Sequence, residues 1–177
     1  MRDYDGDMSS GVSIRSARAE DERQLLALHR AVWSPVSEAA PIRQADGVVF
    51  DERHPAESFL IAEHGTKIVG YITQGPPTPL ESNRHVRQIQ GLGVHASVRG
   101  QGIGQALVEA ACSAAQAQGA RRITLRVLGR NLPAQQLYLR CGFTVVGILP
   151  EEFFLDGAYV DDIWMGRRLS AHECPNQ

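Results

Sequence analysis

The sequence predicts an α/β (α+β) domain in which a twisted, mostly antiparallel sheet of about six to seven strands carries helices on both faces. Three observations lead there. Strand-like and helix-like runs alternate in the order βα(α)ββ followed by βαβαββ. Two strand-like runs, Glu57 to Glu63 and Lys67 to Gln74, meet at the tight turn His64-Gly65-Thr66 and read as an antiparallel hairpin. A further strand, His85 to Val94, leads through the hexapeptide Arg99-Gly-Gln-Gly-Ile-Gly104 into a helical run from Ile103 to Gln118.

Each element has a local cause. With 177 residues, 43% apolar and 21% charged, the chain is the size of one globular domain. That domain is expected over residues 12–169, between flexible tails at 1–11 and 170–177. Val12 to Arg18 alternates apolar and polar residues as a half-buried strand does. Glu20, Asp21 and Glu22 put negative charge at the start of a helix in which Leu25, Leu28 and Val32 recur at helical spacing, and Ser34-Pro35 ends it. Residues 35–56 hold three prolines and no sustained period, which predicts loop with a short helix around Ser37 to Gln44. In the helix from Ile103, the residues Leu107, Ala110, Ala111 and Ala114 continue an apolar face, and Gly119 caps its end. Arg122 to Leu128 reads as a strand and Pro133 to Cys141 as a short helix closed by Gly142; Phe143 to Leu149 and Ala158 to Leu169 are the last two strands.

Composition narrows the function. A formal net charge of −2 with no clustered basic face gives no reason to expect nucleic acid. Arg121, Arg122, Arg126 and Arg130 read as solvated arginines flanking a strand, with contact to a nucleotide phosphate as the rival reading. Cys112, Cys141 and Cys174 lack the spacing of a disulfide framework or a zinc site, so no metal is expected and the thiols suit a reduced, cytoplasmic protein. No run approaches the ~20 apolar residues of a membrane span and the N-terminus lacks a signal-peptide core, so no membrane partner is expected. Oligomeric state stays open, a homodimer included.

The glycine turn points at an anion. A strand that breaks at Gly100, Gly102 and Gly104 and re-enters a helix directs unpaired N–H groups and the positive end of the helix dipole at one spot. Gly91 and Gly93 within the preceding strand mark a bulge or a close approach by another chain or a ligand. The turn is not a dinucleotide fingerprint, because Gln105 and Leu107 stand where a third glycine or alanine is needed, and it lacks the Gly-Lys-Ser/Thr of a P-loop. Taken alone it is as consistent with a structural turn as with a ligand site.

A second motif, Asn131-Leu-Pro-Ala134-Gln-Gln-Leu137-Tyr138-Leu-Arg-Cys-Gly142-Phe143, makes the pattern specific. Together the two resemble the GCN5-related N-acetyltransferase (GNAT) family, whose R/Q-x-x-G-x-G/A motif is met by Arg99, Gly102 and Gly104 and whose N-x-x-A-x-x-L-Y-x-x-x-G-F signature is met by the second run. The resemblance covers residues 12 to 169. It implies a sheet splayed between strands 4 and 5, with acetyl-CoA as cosubstrate: pantetheine along Leu92, Gly93 and Val94, pyrophosphate on Arg99, Gly100, Gln101, Gly102, Ile103, Gly104 and Gln105, and Asn131 near the pantetheine. It implies transfer of the acetyl group to a primary amine of a small-molecule, peptide or protein acceptor, with Tyr138 giving a proton to the departing thiolate. A CoA-binding regulator of the same fold without catalysis is the alternative.

An aliphatic amine, with a pKa of ~10.4 if lysine-like or ~8 if an α-amine, must shed a proton before attack. The glutamates that histone-type and ribosomal-protein relatives carry are replaced here by Gln88 and Arg126. His85, His95, Glu151, Glu152, Asp161 and Asp162 remain as substitutes, and of the adjacent Asp161 and Asp162 at most one can face the site. Cys112 and Cys141 fall on helices as core thiols, which favours direct transfer in a ternary complex over an acyl-cysteine intermediate.

Overall fold

The computed structural model describes residues 11–40, 44 and 46–169. The expected tails, Gly11 apart, lie outside these residues, as does Cys174. The elements are β1 (Val12–Ser16), α1 (Glu22–Val32), β2 (Phe59–His64), β3 (Lys67–Gly75), β4 (Val86–Val94), α2 (Ile103–Ala117), β5 (Arg122–Leu128), α3 (Leu132–Arg140), β6 (Thr144–Leu155) and β7 (Ala158–Arg168). The strands form one sheet in the order β1-β2-β3-β4-β5-β7-β6, antiparallel except where β4 runs beside β5. No described helix is long and apolar enough to cross a membrane.

The helices bury one stripe each against opposite faces. Leu25 and Leu28 of α1 pack on Phe59, Ile61 and Tyr71. On the other face, Ile103, Leu107 and Ala111 of α2 and Tyr138 of α3 pack with Ile72, Ile89, Ile123 and Leu125. The acidic start of α1 does more than complement a dipole. Asp21 is buried and takes two bonds from Arg15, at 2.8 and 2.9 Å, while Arg15 also donates to Glu63 of β2. The Glu22 carboxylate accepts from the backbone N–H groups of Val49 and Phe50 and so fastens the long connection to α1.

Two expectations need correction. The stretch Ser37–Ala40 is turn and bend rather than helix; of the remaining expected residues, 41–43 lie outside the described ones. The strand expected to stop at Leu149 runs on to Leu155. It absorbs Pro150, Glu151 and Glu152 in an irregularity between Leu149 and Phe153, where Glu151 takes φ 55° and its N–H donates to Asp161 Oδ1 at 2.9 Å.

The feature that makes the site is a single extra residue. On β4, Gly91 pairs with Thr73 and Ile89 with Gln74, so Gln90 is a bulge. The parallel ladder between β4 and β5 covers only Val86–Ile89 against Arg122–Leu125 and ends at that bulge. Beyond it the strands splay, and the side of Gly91–Val94 turned toward β5 has no strand partner.

Candidate active site

The splay opens a cavity of about 850 Å³ that joins the two faces of the sheet. Its α2–α3 side is lined by Arg99, Gly100, Gly102 to Gln105, Asn131, Ala134, Leu137 and Tyr138, its gap by Gly91 to Val94, and its α1 side by Val32, Ser34, Glu38, Tyr71, Arg126, Phe153 and Asp162. All the residues singled out from the sequence for donor binding except Gln101, which is exposed, converge here.

The three turn glycines serve different ends. Gly100 and Gly102 take φ +79° and +81° with open space where a Cβ would be, so the backbone conformation itself asks for glycine. Gly102 is the N-cap of α2 and gives no side-chain cap, which leaves the first amides of the helix to an incoming acceptor. Gly104 has ordinary dihedrals; its missing side chain makes room for Leu137 of α3. Arg99 donates from Nε to the Val94 carbonyl at 3.0 Å and so ties the turn to the end of β4.

The strand glycines also have a packing cause. A Cβ on Gly93 would stand 2.6 Å from Tyr71 Cε1 and 2.8 Å from Val32 Cγ2, and one on Gly91 3.2 Å from Thr73 Cγ2. Protein side chains, Tyr71 above all, therefore occupy the space that these glycines vacate. What β4 offers the cavity is its main-chain edge.

Asn131 caps α3, its Oδ1 accepting from the Ala134 N–H at 3.3 Å. Tyr138 follows on the buried side of that helix, 6% exposed, with its ring against Phe143. Burial raises its phenol pKa above the ordinary tyrosine value, so the group stays a neutral O–H donor at any physiological pH.

Among the substitute bases, only Asp162 lines the cavity. His85 and His95 are exposed, and His95 Nδ1 accepts from the Ser97 N–H. Asp161 faces the opposite way and holds the β6 bulge. Asp162, 1% exposed, accepts on one oxygen from Arg126 Nε at 2.6 Å, from Arg126 Nη2 at 2.5 Å and from Trp164 Nε1 at 2.9 Å. Arg126 is more than a solvated flank residue, being paired with Asp162 while still partly exposed; alternation alone, with Leu125 and Val127 in the α2-side core, would have turned it to the cavity's α1 side. Cys112 and Cys141 are buried off the cavity, the Cys112 thiol pushed up to about 11 by burial. Among the described residues no cluster suits a metal ion.

The chain resembles known proteins in sequence and in fold. Residues 22–143 match the model of the acetyltransferase (GNAT) family. Over 142 residues the chain is 31% identical to a mycothiol acetyltransferase of Sanguibacter keddieii, covering 77% of this chain and 45% of that protein, so it spans under half of that relative's length. The structure of smu.2055 from Streptococcus mutans UA159 superposes with a TM-score of 0.81 at 28% identity, covering 89% of this chain and 99% of that one. A phosphinothricin acetyltransferase of Sinorhizobium meliloti, solved in complex with acetyl-CoA, has the same fold, with a TM-score of 0.77 at 19% identity over 94% of this chain and 92% of that one. A family match that runs from α1 to Phe143, over a sheet parted between β4 and β5 and a glycine turn heading α2, makes this chain a member of the acetyltransferase (GNAT) family.

Proposed function

We propose that the chain is an acetyl-CoA-dependent N-acetyltransferase that passes the acetyl group directly to a primary amine in a ternary complex. The observation that carries this reading is one cavity leading from the uncapped amides of α2, along the open edge of β4, to a buried tyrosine. The amides from Gly100 to Gln105 suit the pyrophosphate, since oriented N–H groups and the dipole favour an anion there. The unpaired edge of Leu92, Gly93 and Val94 suits an amide-bearing arm, which pairs with a strand as another strand would. Asn131 Nδ2 supplies one more donor beside it.

The amine nitrogen bonds to the thioester carbonyl carbon as the carbon–sulfur bond breaks. Tyr138 hydrogen-bonds the sulfur and passes its proton to the thiolate as it leaves, and the phenolate takes back, through water, the proton that the nitrogen loses; burial disfavours the phenolate and so returns the phenol to its neutral form. The proton that the nitrogen loses travels through water, since of the candidate bases only Asp162 lines the cavity and its Oδ2 is held by Arg126 and Trp164. Isothermal calorimetry with acetyl-CoA, followed by thiol release with a panel of amines, tests the reading. Absence of acetyl-CoA binding overturns it.

A further inference from the structure

We propose, resting on the acetyltransferase reading, that Arg126 takes a carboxylate of the acceptor, so that the amine substrate is an amino acid or another amino carboxylate. Arg126 stands on β5 directly across from Trp164 and diagonal to Asp162 on β7, and Arg126 and Asp162 line the α1 side of the cavity. Its Nε and Nη2 engage Asp162, while Nη1 has no hydrogen-bond partner among the described residues. The end of the fork formed by Nη1 and the second proton of Nη2 is therefore free. Its Cζ lies 5.0 Å from the Trp164 ring and 5.9 Å from the Phe153 ring, so the guanidinium plane is held by flat neighbours as well as by its counter-ion.

A guanidinium fixed in this way, and still 42% exposed, presents two parallel N–H groups in the spacing of a carboxylate. Asp162 is already committed on the oxygen that meets Arg126 and Trp164; it is a positioning residue rather than a base. The other arginines that line the cavity, Arg99 and Arg140, belong to the turn before α2 and the end of α3. Glu38 lines the same side as Arg126, its Oε1 3.8 Å from His29 Nε2.

The test compares free amino acids with their amides as acceptors for the wild-type protein, by thiol release. The amide lacks the negative charge and has the less basic, more often neutral amine, so chemistry alone favours it. The expected result is a kcat/KM about a hundredfold higher for the acids. Arg126→Lys raises KM for the acids about tenfold or more, a larger factor than any change for the amides, with calorimetry of acetyl-CoA as the control. Arg126→Gln strands the buried Asp162 charge, so the double variant Arg126→Gln/Asp162→Asn, verified by thermal melting, carries the full loss of preference. Equal or better use of the amides, equal slowing of acids and amides by Arg126→Lys, or acetyl-CoA binding without turnover of any amino carboxylate each overturns the proposal. Failure of the wild type to bind acetyl-CoA is seen separately by calorimetry and overturns the acetyltransferase reading itself.

Discussion

Leu137 of α3 fills the space that a side chain on Gly104 of α2 would need, its Cδ2 lying 3.3 Å from where a Cβ would stand. The two helices of the donor side are locked at this point, and Tyr138 is the next residue along. Gly104→Ala asks the leucine to yield by a few tenths of an ångström and is expected to cost little. Gly104→Leu overpacks the contact, with a loss of about 1–3 kcal/mol and a displaced Tyr138. Urea midpoints and kcat, measured on both variants, distinguish the two.

Gly102 fails differently. No atom lies within 4 Å of its absent Cβ, so Gly102→Ala meets no clash. The cost comes from φ +81°, about 1–2 kcal/mol for a residue with a side chain. If the turn relaxes to avoid it, the amides of α2 lose their aim. Acetyl-CoA affinity is expected to fall about tenfold or more while the thermal midpoint moves only modestly; unchanged affinity would remove the turn from donor binding.

For Tyr138→Phe the expected change is a drop in kcat of about ten- to a hundredfold with acetyl-CoA affinity kept, as loss of a general acid predicts. Burial holds the wild-type phenol above its ordinary pKa, so ionisation of Tyr138 produces no fall in rate below about pH 10. A pH–rate profile of wild type and variant checks both statements.

Arg15 gives the fold an acid-sensitive clasp. Its hydrogen bonds hold the Asp21 carboxyl below the usual aspartate range. The folded value is depressed, so the unfolded chain takes up the proton first; the contribution is full above about pH 4 and is lost as pH falls through the folded value. Asp21→Asn is expected to cost on the order of 1–3 kcal/mol at pH 7 and to flatten the loss of stability between neutral and acid pH. Urea unfolding across that range measures it.

Elements with a strong local pattern were legible from the sequence: α2 by its apolar face and Gly119, α3 by Asn131, Pro133 and Gly142, and the β2–β3 hairpin by its turn. The extent of β6 was not, because Pro150, Glu151 and Glu152 look like a loop, and the Glu151 N–H is met by Asp161 on the neighbouring β7. Gly93 was legible as a constraint but not in its cause, since Tyr71 comes from another strand. The pairing of Arg126 with Asp162 depends on the register of β5 against β7, two strands separated by α3 and β6, and no local pattern encodes that register.

The open edge of β4 is made of peptide groups, whereas the far side of the cavity is made of side chains. Peptide groups are the same under every sequence that keeps the bulge at Gln90, so that wall is inherited with the fold. Arg126, Phe153 and Asp162 form the far side through their side chains, on strands paired by backbone, and the charged pair Arg126–Asp162 is replaceable together. Drift therefore reaches the two ends of one cavity unequally, and a descendant with a different acceptor is only a few substitutions away while its donor stays the same.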